Sequence, residues 1–157
     1  MLATTGQQGR ISPDGQRLAT TNRGLDPDVP TERVTYIFDG ATLVATPPGL
    51  AVGWIDDGRL LIQLTDGARY TGTRIVDPLG RVLASPALPS MLSFGDNGRF
   101  TPMDATRIYI PRYSAIYSLV DGSQIWASNL GSDVSDVAGP YVVSANGNRT
   151  RVHIEAY

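Results

Sequence analysis

Apolar positions along the chain fall in short runs, and Gly, Asp, Pro and Asn break the chain between them. No stretch carries the 3.6-residue spacing of an amphipathic helix, so the pattern predicts strands throughout. Several runs are apolar at successive positions rather than alternate ones: "VTYIF" (34–38), "RLLIQL" (59–64) and "SAIYSLV" (114–120). Such strands are expected to be buried on both faces. The runs and breaks predict four groups of strands. The first is 9–13, 17–21, 33–39 and 41–46; the second is 50–55, 59–65, 73–77 and 81–85. The third is 90–95, 107–113, 115–120 and 123–128; the fourth is 133–137, 141–145 and 150–156.

The turns between these strands recur. "ISPDGQRLATT" at 11–21 is matched by "WIDDGRLLIQL" at 54–64, "SFGDNGRFTPM" at 93–103 and, less closely, "SDVAGPYVVSA" at 135–145, which aligns Gly15, Gly58, Gly98 and Gly139. A second series, "YIFDGATLVA", "RIVDPLGRVLA" and "YSLVDGSQIWA", aligns Gly40, Gly80 and Gly122. Both series share a period of about 41 residues, and a period of that length built from strands is the mark of propeller blades.

The "SPDGQRLA" phrasing resembles the WD-repeat, Tol-type and YVTN-type β-propeller superfamily, and "YSLVDGSQIWASNLG" (117–131) resembles a quinoprotein-type repeat with Trp126 at its tryptophan. No WD dipeptide is present. The resemblance implies one all-β domain over 1–157, a β-propeller of four four-stranded antiparallel blades at about 9–46, 50–85, 90–128 and 133–156. The last blade lacks an outer strand, and "MLATTG" resembles the outer strands "TLVATPPG" and "QIWASNLG". Residues 2–6 are therefore expected to close the C-terminal blade, which removes an open sheet edge. Closure within one chain, an eight-bladed ring from a homodimer, and a piece of a longer propeller all fit. A two-sheet sandwich is the competing fold, but its strands would be apolar on one face only.

Composition removes several chemistries. There is no cysteine, which excludes zinc ribbons, iron–sulfur clusters and thiol nucleophiles, and the single histidine, His153, cannot build a multi-histidine metal site. All 13 basic residues are arginine and the acidic ones are aspartate except Glu32 and Glu155, a bias expected of a GC-rich, bacterial type of genome and, for aspartate, of tight turns. A net charge of −2 speaks against a nucleic-acid partner, and no apolar run is long enough for membrane insertion. The start of the chain has no signal-peptide pattern, so the cytoplasm is expected unless an export signal preceded this numbering. No catalytic serine elbow, phosphate-binding loop or dinucleotide fingerprint occurs, and no catalytic residue, metal or cofactor is assigned.

Propeller topology would place Asp14, Asp39, Asp56, Asp57, Asp77, Asp96 and Asp121 on one loop face, with Arg17, Arg59, Arg81 and Arg99 close behind. The other face would carry Arg23, Arg69, Arg112 and Arg149, with Tyr70 and Tyr113 beside two of them. Arginine and tyrosine concentrate binding energy, and arginine suits carboxylates and phosphates. These six residues are the candidate site of a non-catalytic binding or protein-interaction module for a small anionic ligand or an acidic peptide. The alternatives are neutralisation of the arginines by Asp26, Asp28, Glu32 and Asp66, a propeller enzyme of quinoprotein, lactonase or glycosidase type, and a purely structural fragment of a larger propeller. Trp54 and Phe94 are expected to fill sheet interfaces.

Overall fold

The computed structural model describes residues 9–21, 33–66, 69–91, 100–128, 134–138, 141–145 and 152–156. The chain divides into two compact units, Met1–Ser85 and Pro86–Tyr157. The strands of the first are β1 (Gly9–Ile11), β2 (Arg17–Thr21), β3 (Thr35–Asp39), β4 (Thr42–Ala45), β5 (Leu50–Asp56), β6 (Arg59–Asp66), β7 (Arg69–Val76) and β8 (Val82–Ala84). Those of the second are β9 (Thr101–Pro102), β10 (Arg107–Ile110), β11 (Ala115–Ser118), β12 (Gln124–Ala127), β13 (Val134–Ala138), β14 (Tyr141–Ala145) and β15 (Val152–Ala156).

The strands pair only with their neighbours in sequence, giving antiparallel sheets β1-β2-β3-β4, β5-β6-β7-β8, β9-β10-β11-β12 and β13-β14-β15. The fold is all-β. The first three sheets share a register feature: the pairing of third and fourth strands slips at one point, leaving Val44, Leu83 and Ile125 as the extra residue. The turn before each fourth strand holds a glycine in the left-handed region, Gly40, Gly80 and Gly122, as the aligned glycines lead one to expect. At Gly122 the requirement is double, because a Cβ would also lie 2.4 Å from the Ala87 backbone.

In the first unit the sheets pack face to face. Ala19 and Ile37 of the first sheet and Trp54, Leu60, Ile62 and Val76 of the second form one buried cluster. Hydrogen bonds stitch its rim: Trp54 Nε1 donates to the Arg10 carbonyl at 2.9 Å, and the Ala51 amide donates to Thr21 Oγ1 at 3.0 Å. Leu60, Leu61 and Ile62 are buried in succession, so β6 is covered on both sides as its doubly apolar sequence requires. In the second unit Ile108, Tyr109 and Ile110 of β10 are likewise all buried.

The third sheet departs from the expected strands. Ser90 and Met91 are not in a strand, and β10 pairs instead with Thr101–Pro102 across a turn at Asp104. Met103–Arg107 is thus the first hairpin turn of this sheet, and the turn expected around Gly98 lies outside the described residues. The strand expected over 107–113 stops at Ile110. Pro111–Tyr113 forms a 3-10 turn, and Ser114 adopts φ 47°, since proline has no amide to continue a ladder. The fourth sheet shows three strands among the described residues, and the expected closing strand at 2–6 lies outside them.

Candidate functional site

Four of the described hairpin turns share one device, an aspartate that grips both the turn backbone and an arginine entering the next strand. Asp56 Oδ1 accepts the Gly58 amide at 2.9 Å while Oδ2 accepts Arg59 Nε at 2.7 Å and Nη2 at 2.6 Å. Asp104 repeats it: Oδ1 accepts the Thr106 amide at 2.7 Å and hydroxyl at 2.9 Å, and Oδ2 accepts Arg107 Nε at 2.7 Å and Nη2 at 2.6 Å. The Arg107 guanidinium and the Thr106 amide hold the Asp104 carboxyl at about 2. Asp77 takes the Leu79 and Arg81 amides, each at 2.9 Å, and Arg81 Nε at 2.5 Å. Burial pushes the Asp77 carboxyl up, but the Arg81 amide and guanidinium and the Leu79 amide outweigh it and leave the carboxyl below its ordinary value.

At Asp14 the device links two turns. Ser12 Oγ donates to Asp14 Oδ1 at 2.6 Å and the Gln16 amide joins it at 3.0 Å, and these bonds lower the carboxyl. The Asp14 amide donates to Asp57 Oδ1 at 2.8 Å, and Arg17 Nη1 donates to the Asp57 carbonyl at 2.8 Å. Arg17 also faces Asp14 and Asp39 at 3.6 and 3.7 Å. Asp121 lacks an arginine; the Ser123 amide, then the Ser118 and Ser123 hydroxyls, hold it at about 2. These arginines and aspartates are committed to architecture.

The other ends of the strands are different. Arg69 opens β7 opposite Asp66, is exposed and makes no ion pair among the described residues. Tyr70, half-buried beside it, shares a 2.8 Å hydrogen bond between its hydroxyl and Thr73 Oγ1. In the second unit Arg112 is exposed on the 3-10 turn, its guanidinium 5.7 Å from the Tyr113 ring centroid. Tyr113 OH donates to the Ser90 carbonyl at 2.8 Å, and its ring meets Tyr117 edge-on at 6.3 Å. Burial, and after it the neighbouring Tyr113, raises the Tyr117 phenol above its ordinary value.

No family model, curated protein or solved structure matches this chain.

The candidate residues thus fall into two Arg–Tyr pairs, Arg69 with Tyr70 in the first unit and Arg112 with Tyr113 in the second; Arg23 and Arg149 lie outside the described residues, as do Asp26, Asp28, Phe94, Asp96 and Arg99. The residue that sequence reasoning overlooked is Tyr117, whose ring meets Tyr113 edge-on; its signal was a second tyrosine four positions on, just past the left-handed Ser114 where the chain turns back. Trp54 fills a sheet interface as expected. His153 lies on β15 opposite Ser144. Among the described residues no group of three His, Asp or Glu side chains gathers as a metal site, and no helix is long and apolar enough to cross a membrane.

Proposed function

We propose that the chain is a four-bladed β-propeller serving as a non-catalytic recognition module, its last blade closed by the N-terminal strand. Supporting the propeller are the four neighbour-paired antiparallel sheets, the register slip common to three of them, and central strands buried on both faces. The ligand is a small anion or an acidic peptide, taken by the arginine–tyrosine loops.

One observation carries this reading: an exposed arginine followed by a tyrosine stands at the second-to-third turn of two of the sheets, away from the arginines that brace the other turns. Arg17, Arg59, Arg81 and Arg107, at the first-to-second and third-to-fourth turns, are each tied to an aspartate. Arg112, at the second-to-third turn of the third sheet, stands exposed with its guanidinium 5.7 Å from the Tyr113 ring centroid, and Arg69, at the matching turn of the second sheet, is exposed one residue before Tyr70. An exposed guanidinium braced by an aromatic ring favours a planar oxyanion, which it can bind with two parallel hydrogen bonds.

Calorimetric titration with a glutamate-rich peptide and with citrate and phosphate tests it. Binding of at least one, weakened about tenfold by Arg69→Ala or Arg112→Ala with the melting temperature unchanged, is the expected result. Absence of any binding, or alanine variants that bind as the parent does, would refute the reading.

A further inference from the structure

Four Asp–Gly pairs fall among the described residues, at 14–15, 39–40, 57–58 and 121–122. Such a pair is chemically fragile, because glycine leaves its amide nitrogen unscreened by a Cβ. That nitrogen can attack the carboxyl carbon of the preceding side chain and close a succinimide ring. What separates the pairs is how each carboxylate is held.

Three of the carboxylates are gripped. Asp14 Oδ1 accepts the Ser12 hydroxyl at 2.6 Å and the Gln16 amide at 3.0 Å. Asp57 Oδ1 accepts the Asp14 amide at 2.8 Å. Asp121 Oδ1 accepts the Ser123 amide at 3.0 Å and its hydroxyl at 2.8 Å. Ring closure swings the carboxyl onto the next amide, so these bonds must break first. The Ser12 hydroxyl lowers the Asp14 carboxyl, and the Ser123 amide holds that of Asp121 at about 2, which leaves little of the protonated form that releases water. Asp39 differs. Among the described residues its carboxylate accepts no hydrogen bond, and Arg17 Nε, its ion-pair partner, stands 3.7 Å away, too far for one. The amides do not distinguish the pairs. Gly15, Gly40 and Gly122 donate to backbone carbonyls at 2.9, 3.0 and 3.0 Å, and Gly58 donates to Asp56 Oδ1 at 2.9 Å.

We propose that Asp39–Gly40 is the site at which the folded chain rearranges to isoaspartate, ahead of the other described Asp–Gly pairs. The Gly40 nitrogen bonds to Asp39 Cγ while the Cγ–OH bond breaks, and the amide proton leaves with that hydroxyl as water. The succinimide then takes one water back. Addition at Cγ restores aspartate; addition at the backbone carbonyl carbon of Asp39 leaves the chain running through Cβ and Cγ. No mass is gained overall, but the backbone of the turn grows by one methylene. Asp39 pairs with Thr42 across this turn, and the Gly40 amide ties it to the Gln16 carbonyl. The longer link breaks both and moves the negative charge that faces Arg17. None of this depends on the proposed ligand.

The test ages the full chain at neutral pH in water labelled with heavy oxygen, which marks every ring opening. Isoaspartate is then mapped residue by residue, by arginine-specific digestion and electron-transfer fragmentation. Residue resolution is needed because Asn97–Gly98 and Asn146–Gly147 reach the same product by deamidation. The expected result is label and isoaspartate at Asp39 about fivefold faster than at Asp14, Asp57 or Asp121, with the rates converging in urea. Equal rates in the folded chain, a lead by one of the gripped aspartates, or no reaction at Asp39 would overturn the inference. So would a lead by Asp39 that persists in urea, since it would then come from the neighbouring sequence and not from the turn.

Discussion

The Asp77 turn allows the two halves of the clamp to be weighed. Its carboxylate is 10% exposed while the Arg81 side chain it pairs with is 75% exposed. A guanidinium in water gains little from an ion pair, about 0–1 kcal/mol. The two amides on Oδ1 matter more, since an amide that loses its acceptor costs about 1–3 kcal/mol when buried. Leu79 and Arg81 are exposed, so water partly replaces the lost acceptor and the lower end applies. Asp77→Ala is therefore expected to destabilise the first unit by about 2 kcal/mol. Arg81→Gln should cost under about 1 kcal/mol. Asp77→Asn, which keeps the acceptor but turns an amide donor towards Arg81, should fall between them. Trp54 lies in the first unit and Trp126 in the second, so urea unfolding followed by fluorescence in a Trp126→Phe background reads the relevant unit alone. At a slope of 1–3 kcal/mol per molar, the alanine variant should move the midpoint by about 1 M. If Arg81→Gln moves it as far as Asp77→Ala does, the ion pair holds the turn and the reasoning is wrong.

Other expectations follow from the same contacts. Asp104 and Asp121 drop from 3.8 to about 2 on folding, so their stabilisation is complete well above 3.8 and disappears as pH falls towards 2; side-chain carboxyl shifts followed by NMR should show both midpoints low, and Asp104→Asn should flatten the acid limb. Gly122→Ala should destabilise the second unit by more than the roughly 1–2 kcal/mol that Gly15→Ala costs the first, because both glycines have positive φ but only Gly122 abuts backbone; paired melts monitored at Trp126 and Trp54 compare them. Trp54→Phe, which removes the bond to the Arg10 carbonyl while keeping a ring in the cluster, should cost about 1 kcal/mol by urea titration.

Much of the fold was legible because its signals are local. Asp-Gly at 39–40 and 121–122 and Pro-Leu-Gly at 78–80 need left-handed backbone, and the structure puts it at those glycines. In the third sheet the turn that joins the first two described strands carries no glycine, so a glycine marker could not find it. What closes "MDATR" is the carboxylate of Asp104 held by Thr106 and Arg107, with no glycine involved. The aspartate and arginine spacing, common to the turns at Asp56 and Asp104, was the better marker. At the candidate site, the sequence could supply the Arg–Tyr pairs but not what each hydroxyl does. Tyr113 spends its own on the Ser90 carbonyl, far away in sequence, and Tyr70 shares its own with Thr73.

The clamp also bears on how such a chain can grow. Its aspartate, its arginine and the amide between them lie within a few residues, so any copied segment arrives with its turn chemistry complete. A duplicated unit then needs no compensating change elsewhere to form its hairpins, and only its broad faces must suit the neighbours it lands between. Lengthening by tandem duplication is thus a small step for this architecture, with selection acting afterwards on the packing faces and on the loops left free to vary.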